Sequence, residues 1–131
     1  MNEPATIHDL LRSKTIAVIG LSNNPAKPSN YVPAYLQSIG HRIFPVNPSV
    51  DEVLGEKSYP SLTDLPIKPD LVNVFRLPQF IPAIVDEMIA LELPAIWVQQ
   101  GIISDEAAAR AEAHGIKVVM DRCIMVESRH V

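Results

Sequence analysis

Between Gly20 and Ser29 the chain reads "GLSNNPAKPS", with a glycine, two serines and a lysine within ten residues. Gly20 allows a tight turn with no Cβ in the way. Ser22 offers a hydroxyl, and Lys27 offers a point charge suited to phosphate. A helix beginning at Ser29 would add unpaired backbone amides, which attract anions. The chemistry implied is the holding of a phosphate group. A solvated surface loop with an exposed Lys27 has the same composition, so the loop alone leaves both readings open. It is not the G-x-G-x-x-G turn of dinucleotide sites, having one glycine and two prolines.

A second stretch, "PVNPS", narrows the ligand. NAD sites place an acid at the end of the second strand, on the ribose hydroxyls. Here Asn47 and Pro48 stand there, and no carboxylate follows until Asp51. That speaks against NAD and permits a nucleotide with a phosphorylated ribose, such as coenzyme A.

The search for catalysis returns no nucleophile, base and orienting group in one place. His8, His41, His114 and His130 fall on the first helix, two turns and the tail, without metal-ligand spacing. Cys123 follows the last strand beside Arg122, a cation that favours thiolate. It is a candidate to pair with a ligand thiol. The competing reading is a small buried apolar side chain. Trp97 in "AIWV" reads as core whose indole N–H needs a partner. The expectation is binding without chemistry and without metal.

These residues need elements to position them. Five short apolar runs, Thr15–Ile19, Arg42–Val46, Leu71–Phe75, Ala95–Val98 and Ile116–Met120, read as strands buried on both faces of a parallel sheet. Pro45 is awkward in the second. Val32, Tyr35, Leu36 and Ile39 recur at helical spacing, with Ser29 as N-cap and Gly40 as stop. Ile81, Ile84, Val85 and Met88 repeat that spacing, and Ser104 can cap "DEAAARAEAH". A short helix is expected over Thr6–Arg12, and another at Ser61–Leu65. Alternating strands and helices predict an α/β, Rossmann-like, doubly wound five-stranded parallel sheet in the order 3-2-1-4-5. The polar residues then gather at the carboxyl ends of the strands, where such sheets bind ligands.

With 131 residues, 47% hydrophobic and 20% charged, the chain is expected to form a single domain, 1–131. A net charge of −4 gives no basic footprint for nucleic acid or an anionic membrane. No run is long enough to cross a bilayer, and "MNEPATIHDLL" lacks a signal-peptide pattern. One cysteine fits a reducing compartment. The expected setting is cytoplasmic.

Taken in order, "TIAVIGLSNNPAKPSNYV", "IFPVNPSVDEVLGEKSYPSL", "VNVFR", "WVQQGI" and "VVMDRC" resemble the small stand-alone CoA-binding domain proteins. These are Rossmann-like relatives of the N-terminal domain of the succinyl-CoA synthetase α subunit. The resemblance runs from about Ile7 to the "DRC" end. It implies that the turn at Gly20, Leu21 and Ser22 carries the CoA diphosphate, with Lys27 and Ser29 nearby. Asn47 and Pro48 would border the adenosine. Val74, Phe75 and Arg76 would lie on the nucleotide side, with Gln99, Gln100 and Gly101 across the switch point. Nothing like the synthetase's phosphohistidine domain follows before Val131, so ligase activity is not implied. The expected function is a non-catalytic carrier, sensor or regulatory partner that binds CoA or acyl-CoA. The alternative is a small enzyme, either a CoA-linked transferase component or a nicotinamide-dependent reductase.

Overall fold

The computed structural model describes residues 1–131. After helix α1 (Pro4–Leu10), strand β1 (Thr15–Ile19) leads through the first loop into α2 (Pro28–Ser38) and β2 (Arg42–Val46). A two-stranded hairpin follows, β3 (Glu52–Val53) and β4 (Glu56–Lys57). Then come β5 (Leu71–Val74), α3 (Ile81–Leu91), β6 (Ala95–Val98), α4 (Asp105–Ala113), β7 (Lys117–Val119) and α5 (Ile124–Arg129). Single 3₁₀ turns occupy Leu62–Asp64 and Pro78–Phe80.

The main sheet is parallel throughout, in the order β2-β1-β5-β6-β7. Alternate strand residues feed two cores, as a sheet covered on both faces requires. Ala17, Val72, Val74, Ile96 and Val98 pack on α3 and α4. Ile16, Val18, Leu71 and Trp97 pack on α1, α2 and α5 with Leu10, Val32, Leu36 and Ile124.

The α/β class and the five parallel strands agree with expectation, but the order 3-2-1-4-5 does not. Counting only the main strands, the order is 2-1-3-4-5. The third strand pairs with the first, Ile16 against Leu71 and Ile19 against Val74, and leaves the second at the edge. Pro45 supplies the reason. It sits opposite Val18, and its carbonyl faces outward to accept from the Tyr59 amide at 3.0 Å. Backbone N and C=O of one residue point the same way in a parallel strand, so its missing N–H also faces outward. A further main strand there would lose a ladder bond, which an edge strand does not. The chain reversal therefore lies between β1 and β5, and the crevice opens there.

Three local expectations change. Ser29 is not the cap of α2; Lys27 is, at φ −95° and ψ 143°, with Pro28 in the first helical turn, where proline is favoured. Ser61–Leu65 forms only a 3₁₀ turn over Leu62–Asp64, and the expected tail forms α5. Ser104 caps α4 as expected, its Oγ accepting from the Ala107 amide at 3.3 Å.

Candidate functional site

Pro33 lies inside α2 and carries no N–H, so the carbonyl of Ser29, four residues back, has no helical donor. The Ser22 amide takes that carbonyl at 3.0 Å. Asn30 Nδ2 donates to the Ser22 carbonyl at 2.7 Å, and Asn47 Nδ2 donates to the Leu21 carbonyl at 3.0 Å. The first loop is thus fastened to α2 on one side and to the end of β2 on the other. Gly20, at φ +86°, donates to the Val46 carbonyl at 2.9 Å. It passes so close to β5 that a Cβ would lie 2.5 Å from the Phe75 carbonyl oxygen. Only glycine fits both conditions.

Two clefts open beside this loop. The larger, about 730 Å³, runs between α2, the ends of β5 and β6, and α5. The smaller, about 270 Å³, lies between the ends of β1 and β2 and the face of α3. Arg76 and Phe80 line both, and the Arg76 guanidinium stacks 4.2 Å from the centre of the Phe80 ring. The Arg76 guanidinium makes no ion pair, and neither does the Lys27 ammonium. Two free cations beside an exposed helix start make the junction receptive to an anion.

Of the residues singled out from sequence, Lys27, Ser29, Phe75, Arg76, Gln99, Gln100 and Cys123 line the larger cleft. Gly20, Asn47, Pro48 and Arg76 line the smaller one. Four lie outside both. Leu21 and Val74 are fully buried core residues. Ser22 is spent on the loop, its Oγ accepting from the Asn24 amide at 3.0 Å. The Gly101 amide donates to Asp121 Oδ1 at 2.7 Å, tying the ends of β6 and β7 together. The histidines line neither cleft, and no group of three possible metal ligands occurs.

Sequence reasoning missed the apolar wall of the larger cleft, namely Tyr31, Leu77, Phe80, Ile102, Met125 and Val126. Tyr31, Leu77, Phe80 and Val126 are exposed, and the signal was there: large apolar residues off the core stripe of their elements. It also missed Ser61, between β4 and β5, and Ile84 and Glu87 of α3, in the smaller cleft.

A buried polar chain supports the floor. The Asn73 side chain, fully buried on β5, donates through Nδ2 to the Trp97 carbonyl and to Gln99 Oε1, both at 3.1 Å. Its Oδ1 stays buried without a partner. The Ile124 amide also donates to Gln99 Oε1, at 3.2 Å, so the start of α5 is fixed to the end of β6. Trp97 Nε1 finds its partner in the Arg122 carbonyl at 2.9 Å. Arg122 itself turns to the Asp121 carbonyl at 2.9 Å and to Glu127 at 3.9 Å, not to the Cys123 thiol.

Residues 14–129 match the family model described as a CoA binding domain. The chain is 42% identical over 123 residues to the uncharacterized protein YneT of Bacillus subtilis, covering 93% of this chain and 91% of the relative. It is 28% identical over 124 residues to an ADP-forming acetate–CoA ligase (II) of Archaeoglobus fulgidus. That match takes in 86% of this chain but only 18% of the ligase. Among solved structures, a hypothetical protein from Pyrococcus horikoshii OT3 superposes with a TM-score of 0.91 at 35% identity. That alignment covers 96% of this chain and 89% of the other.

Proposed function

The chain belongs to the CoA binding domain family, and on that footing we propose that it binds coenzyme A or its thioesters as a carrier, sensor or regulatory partner, with no turnover of its own. In Rossmann-like sheets the ribose sits at the end of the second strand and the phosphates at the first loop. The smaller cleft, beside Asn47 and Pro48, then takes the adenosine. The junction at Gly20 and Arg76 takes the diphosphate, with Lys27 and the Ser29 amide alongside. The larger cleft receives the pantetheine arm, which runs toward Gln99 and Cys123. The observation that carries this reading is the meeting of two clefts at the unpaired guanidinium of Arg76. A bipartite ligand with its negative charge in the middle suits that shape. Native mass spectrometry of gently purified protein, together with calorimetry against CoA, tests it. A CoA-sized mass increment and saturable binding are expected. Absence of both, with the fold intact, removes the reading.

A further inference from the structure

Gln99 is 5% exposed, yet it lines the larger cleft. Two donors converge on its Oε1, the Ile124 amide at 3.2 Å and Asn73 Nδ2 at 3.1 Å. Asn73 cannot be turned over to free that site, because the same Nδ2 also serves the Trp97 carbonyl. The orientation of the Gln99 amide is therefore forced, oxygen inward and Nε2 outward. Nε2 donates to no group of the protein and is not enclosed by it. A fixed, unused donor in a mostly apolar cleft recognises a carbonyl oxygen.

The walls on either side need a different partner. Tyr31, Leu77, Phe80 and Val126 line this cleft and are 43%, 59%, 41% and 43% exposed, four of the nine most exposed large apolar side chains. Their gathering at one cleft is the pattern of a binding surface rather than of scattered exposure. Lys27 and Arg76 line the same cleft, so its occupant is anionic at one end and apolar at the other. Free CoA meets the cations and offers amide carbonyls to Gln99, but its arm is largely polar and ends in a thiol, a poor match for four large apolar side chains.

Resting on the CoA-binding reading above, we propose that the ligand is a CoA thioester with an apolar acyl chain. The chain lies along Tyr31, Leu77, Phe80 and Val126, and Gln99 Nε2 donates to a carbonyl of the thioester or the arm. Burial of a methylene strengthens binding about fourfold. Several buried methylenes therefore separate an acyl-CoA clearly from CoA.

Calorimetry of the full chain with CoA, acetyl-CoA and octanoyl-CoA tests this. Acetyl-CoA is expected within about fivefold of CoA, and octanoyl-CoA at least tenfold tighter. The octanoyl-to-CoA affinity ratio should fall toward one in Leu77→Asp and in Val126→Asp. Both sites are exposed, and circular dichroism verifies their folding. If CoA binds and octanoyl-CoA binds no tighter, this inference is overturned while CoA binding stands. A ratio unchanged in both variants overturns it as well, because the chain then lies elsewhere. A wild-type dimer that Leu77→Asp splits, with no octanoyl preference, assigns the wall to self-association instead. If no CoA species binds, the parent reading itself has failed.

Discussion

The Ser22 amide donates to the Ser29 carbonyl at 3.0 Å, in the place where a helical N–H from position 33 would otherwise donate. Pro33 leaves that carbonyl open, so a residue usually costly inside a helix is what lets the first loop dock. Pro33→Ala restores a competing helical donor. The variant is expected to fold, with faster hydrogen exchange at Ser22 and weaker CoA binding. Unchanged protection of the Ser22 amide, measured residue by residue, would show that the proline plays no part in holding the loop.

Gly20 and Gly101 share a φ of +86° but differ in surroundings. At Gly101 an added Cβ meets nothing within 4 Å, whereas at Gly20 it meets the Phe75 carbonyl oxygen at 2.5 Å. Gly101→Ala should cost only backbone strain, about 1–3 kcal/mol. Gly20→Ala adds a clash between two backbone segments and should lose clearly more. It should also lose CoA binding, because Phe75 and Arg76 must shift. Denaturant unfolding of the two variants side by side is the measurement, and equal losses would remove the steric part of the argument.

Much of this arrangement is legible in the sequence, for physical reasons that differ from place to place. The five strands are apolar on both faces, so their periodicity marks them even though each is only three to five residues long. Ser104 and the acids after it marked a helix start, because caps act locally. Strand order is not local. Pro45 held the decisive clue, since a proline with its nitrogen toward a neighbour belongs at an edge, but using it requires knowing which way the residue faces. Leu21 and Val74 sit in loop and strand-end positions that suggest contact with a ligand, yet the turn after Gly20 puts Leu21 in the core and the pleat of β5 does the same for Val74. The apolar wall of the larger cleft shows in the sequence only as single apolar residues off the core stripes, and their convergence does not show, because Tyr31 on α2 and Val126 on α5 reach it from helices far apart in sequence.

In the proposed site, Lys27 and Arg76 should divide the anion contact unequally. Lys27 is exposed and caps α2, while Arg76 is half-buried against Phe80 where the two clefts meet. Lys27→Ala should weaken CoA binding by roughly 1–3 kcal/mol, the range for hydrogen bonds involving charge. The loss should be larger at low ionic strength, where screening is least. Arg76→Ala should lose at least as much and depend less on salt, because partial burial limits screening. Calorimetry at two salt concentrations separates them. A Lys27→Ala variant with wild-type affinity in both buffers makes that residue ordinary solvated surface.

Asn47 uses both ends of its carboxamide within the protein, Nδ2 on the Leu21 carbonyl at 3.0 Å and Oδ1 on the Ser49 amide at 2.9 Å. No carboxylate follows β2 before Asp51 to take the ribose hydroxyls of NAD or to repel a ribose phosphate, and the Glu87 carboxylate in the smaller cleft is engaged by the amide and hydroxyl of Thr63. CoA should therefore bind more tightly than NAD or NADP, with dephospho-CoA weaker than CoA. Asn47→Asp removes the donor to Leu21 and introduces a negative charge, so CoA affinity should fall. NAD binding as tight as CoA in the wild type would defeat the discrimination argument.

Cys123 is half-buried at the start of α5 and lines the larger cleft but not the smaller one. The proposed pose puts most of the charge on CoA at the junction by Gly20 and Arg76, so the thiol should matter little to nucleotide affinity. Cys123→Ser is expected to hold reduced CoA within a few fold of wild type, a loss below about 1 kcal/mol. Chemistry at the other end of the ligand should differ. With CoA disulfide, the Cys123 thiolate attacks one sulfur and expels the other half as CoA thiolate, leaving a protein–CoA mixed disulfide. Mass spectrometry should show a CoA-sized adduct on the wild type that dithiothreitol removes and that Cys123→Ser never forms. If the serine variant keeps its fold and loses reduced CoA, Cys123 belongs to the primary contact. If the wild type acquires no adduct, the thiol is a packing residue against the core under α2 and α5.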